Sequence, residues 1–168
     1  MRSLRNLKKS AVEIAQILAQ DPTLCKLLVI DAQDALDQAT PDVNLNDLIS
    51  NNYICFFPPV ESRIEDYGRN TFITILLDEV SFNNSGYNNV CSIIIYVTTN
   101  EDHILLTNNK LRLIEMCDRI AQLLDGTKLS SAGTLSCNTM IHTMLSEFHS
   151  AYRMRFTLVD QENERAEI

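Results

Sequence analysis

Between residues 3 and 20 the apolar positions recur with helical spacing. Leu4, Leu7, Val12, Ile14, Ile17 and Leu18 gather on one side, and Lys8, Lys9, Glu13 and Gln16 lie mostly on the other. Asp21-Pro22 ends that helix and opens a second, since aspartate caps a helix N-terminus and proline is tolerated at the first helical position. The second helix carries Leu24, Leu27 and Leu28 and fades near Asp31. A short third helix is expected from Asn44 to Ser50.

From Tyr53 the period shortens to that of strands. Tyr53 to Phe57 is short, aromatic and closed by Pro58-Pro59; proline offers no N–H to a ladder, so this segment reads as an edge strand. A polar excursion follows over 58–69. Thr71 to Leu77 alternates with Ile73, Ile75 and Leu77 on one face. Val90 to Thr98 places Cys91, Ile93, Ile95 and Val97 on one face and Ser92, Ile94, Tyr96 and Thr98 on the other. Its second face is partly apolar, which predicts a central strand covered by helices. The turn-rich stretch 81–89 between them suits a hairpin loop.

The strongest helical stripe runs from about Asn108 to Leu124 through Leu111, Ile114, Cys117, Ala121 and Leu124. Thr107 is the expected cap, Gly126 stands at the C′ position, and Glu115 and Arg119 are spaced for an i,i+4 pair. Leu135, Cys137, Thr139 and Ile141 then alternate in one strand. Tyr152, Met154, Phe156 and Leu158 alternate with Arg153, Arg155 and Thr157 in another. Strands joined by short loops favour antiparallel pairing, and one helical crossover leaves room for a mixed sheet. The expected fold is α+β: a four- or five-stranded, mostly antiparallel sheet with helices mainly on one face. It forms a single domain over 1–160 with an N-terminal helical segment (about 3–50) and an acidic tail over 161–168.

Composition narrows the function. At 45% apolar and 21% charged residues the chain has a globular make-up. A net charge of -8 repels phosphate, and 7% aromatics without tryptophan make a poor stacking platform, so sequence-specific nucleic-acid binding is not expected. Cys25, Cys55, Cys91, Cys117 and Cys137 are odd in number and form no Cys-x-x-Cys pair. They read as small buried hydrophobes in a reducing compartment. No apolar stretch follows the N-terminal charges as in a signal peptide, and no run reaches the roughly 20 apolar residues of a membrane span, so the expected setting is cytoplasmic synthesis without membrane contact.

Candidate chemistry is sparse. The four glycines are isolated, so no phosphate-binding loop forms. His103, His142 and His149 lack metal-ligand spacing, and Asp31, Asp34 and Asp37 lack the glycine and terminal glutamate of a calcium loop. Ser146, Glu147 and His149 are neighbours in the chain, which is not triad geometry. The expectation is a non-enzyme with no catalytic residue, no metal and no cofactor. Its work falls to its surface, with candidate subunit contacts at Phe56, Ile64, Tyr67, Phe82, Tyr87, Arg153 and Arg155.

The ordered segments IAQILAQDPTLCKLLVIDAQDAL, NNYICFFPPV, RNTFITILLDEVSFNNSGYNNVCSIIIYVTTN, NNKLRLIEMCDRIAQLLDGTKLSSAGTLSC and AYRMRFTLVDQ span most of residues 11–160. In order and spacing this arrangement resembles head–tail joining proteins of tailed bacteriophages, in the tail-terminator or neck-ring group, with those of crAss-like phages foremost. The resemblance implies a virion protein of the neck that closes into a six- or twelve-fold ring. Such a ring contacts the portal or neighbouring neck and tail rings and lets DNA pass without sequence recognition. The alternative is a small cytoplasmic, non-enzymatic binding or adaptor module.

Overall fold

The computed structural model describes residues 4–57, 69–80, 91–130 and 133–159. Its helices are α1 (Leu4–Ala19), α2 (Pro22–Val29), α3 (Leu45–Ser50) and α4 (Arg112–Leu124). Its strands are β1 (Ile54–Cys55), β2 (Thr71–Val80), β3 (Cys91–Asn100), β4 (Lys128–Leu129), β5 (Gly133–Met144) and β6 (His149–Val159). They form one six-stranded sheet in the order β1-β2-β3-β6-β5-β4. Every pairing is antiparallel except β1 with β2. The α+β class and the mixed, mostly antiparallel sheet are as expected. The expected edge strand at Tyr53–Phe57 forms only over Ile54–Cys55, and the one additional strand, β4, has two residues and is too short to alternate visibly.

Register explains the layering. Ile73, Ile75, Ile93, Ile95, Val97, Met154, Phe156 and Leu158 line one face, and against it pack Ala11, Ile14, Ala15 and Leu18 of α1, Leu24, Leu27 and Leu28 of α2, and Leu113, Met116, Cys117, Ile120 and Leu124 of α4. The buried positions of α1 follow the i, i+3, i+4, i+7 rule, but Val12 does not: it is 39% exposed. β3 is central and nearly all buried, and the described helices pack against one of its faces. On the opposite face Phe72, Thr98 and Ala151 stand side by side across three strands, all buried, with Leu145 packed on Phe72.

The helical layer is tied together by two arginines of α4. Arg112 is wholly buried, and each N–H of its guanidinium has its own carbonyl. Nε donates to His103 (2.9 Å), Nη1 to Leu27 (2.6 Å) and Ile30 (2.8 Å), and Nη2 to Asp31 (3.1 Å) and Ala32 (2.8 Å). Four of those carbonyls belong to the last turn of α2 and its exit, where unpaired C=O groups and the negative end of the helix dipole favour a cation. Burial pushes the Arg112 pKa down and the nearby Asp31 carboxylate pulls it back up. Seven residues on, Arg119 donates through Nε (2.9 Å) and Nη2 to Asp21 Oδ2, whose other oxygen caps α2 by accepting from Leu24 N–H at 2.8 Å. One helix thus grips both ends of another.

That grip corrects two expectations. The long helix begins at Arg112, not Asn108, and its N-cap is Leu111 with no side-chain bond. Residues 104–111 fold instead into a small loop closed by a Leu105–Leu111 bridge, with Asn109 at φ 58° and Thr107 Oγ1 donating to Gln33 O. This loop delivers Arg112 to its carbonyls. The Glu115–Arg119 pair does not form either: Arg119 is drawn to Asp21, and Glu115 meets Lys110 at 3.0 Å. Gly126, at φ +76°, ends the helix as expected. Asp34 and Asp37 fall in consecutive turns after α2. The acidic tail lies outside the described residues.

Two outcomes follow from the paired arginines. Replacing Arg112 by Met strands four carbonyls beside α2 and should cost about 3–5 kcal/mol in denaturant unfolding, with Arg112→Lys recovering part of the loss. Asp21 is opposed by burial, which raises its pKa, but the Arg119 bond, the Leu24 N–H, the Arg119 charge and the Thr23 N–H together hold it below the usual carboxylate range. Its stabilisation is therefore fully present above about pH 4 and is lost as pH falls through the lowered value. Asp21→Asn should be less stable than the native chain at pH 6, and the gap in melting temperature should close toward pH 2.

Candidate interaction surface

Few of the ionisable groups are placed to do chemistry. Burial pushes the Cys55 thiol up to about 11 and, with Asp118 and Cys137 adding to it, the Cys117 thiol up to about 12. Neither is a thiolate at neutral pH. All five cysteines are free. His103 Nδ1 meets Asp31 O at 3.1 Å, and His149 Nδ1 meets Ser146 Oγ at 3.0 Å inside the β5–β6 turn. That Ser–His contact orders a hairpin: Leu145 N–H donates to His149 O, and Phe148 N–H to Ser146 Oγ. Among the described residues no three His, Cys, Asp or Glu side chains gather as metal ligands, and no helix is long and apolar enough to cross a membrane.

The sequence-derived contact residues are scattered. Ile64, Tyr67, Phe82 and Tyr87 lie outside the described residues. Phe56 follows β1 and is 37% exposed, next to the equally exposed Phe57. Arg153 and Arg155 lie on β6, half-buried, on the face opposite α1, α2 and α4. Arg155 Nη2 donates to Ser92 Oγ at 3.3 Å, and that hydroxyl donates to Asp78 Oδ2 at 3.3 Å. By register Arg153 stands between Tyr96 and Ile141. Phe56 is not brought near the two arginines, because β1 and β6 are three strand spacings apart, about 14 Å.

The most exposed apolar group is one the sequence reading passed over. Met140 (45%), Ile141 (50%), Met144 (51%) and Phe148 (57%) lie together on the far half of β5 and its turn. Among the described residues that half is also a bare sheet edge. β4 pairs with β5 only at Gly133 and Thr134. Leu135 N–H still donates to Thr127 O and Cys137 N–H to the Asp125 carboxylate (2.8 Å), and beyond them no described segment pairs with β5. A bulge between Cys137 and Thr139 marks the change. From Leu129 to Ser146 the chain has no Asp, Glu, Lys, Arg or Pro, the residues that normally blunt such an edge. That uncharged run was the available signal; the alternation expected over Leu135–Ile141 found the strand but not its position at the margin.

The described residues define an α+β protein with helices packed on one face of a mostly antiparallel sheet and an uncharged strand at the sheet's margin. The chain belongs to the YomW family, whose model matches residues 21–158, from the N-cap of α2 to nearly the end of β6. YomW is a phage-associated family, which points to a phage origin for the chain. No curated protein matches it.

If the β5 edge is surface rather than core, polar substitution there leaves folding intact. Met140→Ser and Ile141→Ser should each change unfolding free energy by less than about 0.5 kcal/mol. Phe156→Ala, one strand away and fully buried, should cost about 3–5 kcal/mol in the same urea titration.

Proposed function

We propose that the protein is a structural component of a phage particle, a non-enzymatic subunit of the head–tail connector. There it closes with copies of itself into a tail-terminator-like ring of six or twelve that joins portal to tail and surrounds the DNA passage. The observation that carries this reading is the open edge of β5, an uncharged strand with four exposed apolar side chains nearby, in a phage-associated chain. Natural proteins leave such an edge unprotected where another chain is to cover it.

Other features support the same reading. At the opposite margin of the sheet, exposed Phe56 and Phe57 follow β1. Contacts made by two different surfaces of one subunit run head to tail and close into a ring when the rotation closes. A charge of -8 suits a channel wall past which DNA slides without sticking. No cofactor or metal enters this role.

The test is electron microscopy of particles and of the purified protein mixed with its portal. A ring of six or twelve copies between portal and tail is expected. Ile141→Lys should leave the subunit folded by circular dichroism and reduce tailed particles by at least about tenfold, since a charge would be buried in the contact. Normal tailed particles from Ile141→Lys, or particles that lack the protein altogether, would overturn the proposal.

A further inference from the structure

The edge of β5 carries more information than its exposure. Leu135 N–H points toward β4 and Leu145 N–H toward β6, and the bulge between Cys137 and Thr139 reverses the alternation between them. Beyond the bulge, therefore, Thr139, Ile141 and Thr143 turn their backbone groups to β6. Met140, His142 and Met144 turn theirs outward. These three form the centre and ends of Met140-Ile141-His142-Thr143-Met144, a segment with the same pattern in both directions: methionine, β-branched residue, histidine, β-branched residue, methionine.

We propose that β5 pairs antiparallel with β5 of a second copy of this chain, about a two-fold axis at His142. Such pairing sets His142 against His142 of the partner and Met140 against the partner's Met144. All three outward residues then fall at hydrogen-bonded positions, and the six N–H and C=O pairs they offer across the axis are matched. A two-fold axis also brings each side chain near its own kind, so any charge on the strand would meet a like charge. This strand has none, although 21% of the chain is charged and each copy carries a net -8. A partner of opposite charge would call for charges here, and the strand offers none to read.

The side chains fit the same arrangement. Met140 and His142 share a face with Met154 and Tyr152, and the His142 ring meets the Tyr152 ring edge-on at 5.2 Å. Pairing would collect four methionines around the two histidines on that face. On the opposite face Ile141 would lie across from the partner's Thr143. Adaptable thioether side chains close such a seam without exact complementarity. The contact rests on the ring reading only in its consequence: a two-fold contact closes on itself, so the dimer must open before β5 can join a ring.

The experiment is a pair of variants on the full chain. His142→Cys, in a Cys137→Ser background, is treated with a short bis-maleimide beside Asp34→Cys in the same background; Asp34 is exposed and lies outside the sheet. The first should form covalent dimers in high yield and the second should not. His142→Pro removes only an outward N–H, leaving the β5–β6 ladder intact. It should stay folded by circular dichroism and raise the dimer dissociation constant at least about tenfold in sedimentation equilibrium, the effect of losing two hydrogen bonds. A protein that stays monomeric at every concentration, equal cross-linking of both cysteine variants, or a dimer indifferent to folded His142→Pro would overturn the proposal. None of these results depends on whether rings form in the particle, so the two readings stand or fall separately.

Discussion

The buried guanidinium of Arg112 is the constraint on which the helical layer is built. A charge taken fully out of water is tolerable only if its donors are all used, and five carbonyls use all five. Carbonyls at the end of a helix suit the purpose. They are unpaired by the geometry of the α-helix, they carry the negative end of its dipole, and they cannot be protonated away. The same side chain therefore ends α2, fixes the loop at His103 and sets where α4 begins. Arg119 repeats the device at the other end of α2 through Asp21. Elsewhere Glu13 of α1 accepts from Ser130 N–H and Oγ, at 2.8 Å each, to pin the chain leaving β4. The two arginines thus hold the helical layer together, and Glu13 ties it to the margin of the sheet.

That explains which parts of the fold were legible in the sequence. The strands announced themselves because alternation is local: Ile73, Ile75, Ile93, Ile95, Met154 and Phe156 each face the core two residues from the next. The start of α4 did not, because an arginine followed by a helical pattern reads as a solvated first turn. Its burial depends on carbonyls some eighty residues earlier in the chain. The Glu115–Arg119 spacing misled for the same reason. A surface pair worth a few tenths of a kcal/mol yields to a partly buried contact with Asp21 that also holds a helix cap. Local patterns identify elements, whereas long-range polar contacts decide where they stop.

The exposed strand edge was harder still to read. Loop aromatics such as Tyr67 and Tyr87 attracted attention because loops commonly carry function, while β5 looked like one more alternating strand. A strand's place at the margin is a property of the whole sheet order, and no window of sequence contains it. Arg153 and Arg155 stand out in the sequence as charges in a strand. In the fold, Arg155 is joined through Ser92 to Asp78 and so bridges β6, β3 and β2 on the face opposite α1, α2 and α4.

The two margins of the sheet differ in a way that bears on assembly. On one side, β1 adds only two residues beside β2, and the sequence continues with Pro58-Pro59, which have no N–H to donate. On the other, β4 and the Asp125 carboxylate satisfy β5 as far as Cys137, and past the bulge no described segment pairs with the outward backbone groups. A sheet unfinished at one end has a direction in which it can grow. The unfinished end lacks the lysines, prolines and inward charges that would stop growth, so what limits it is the identity of the next strand. In a chain with a net charge of -8, the uncharged edge is the place where a second copy can approach with little electrostatic penalty, and a strand patterned alike in both directions is satisfied by its own copy.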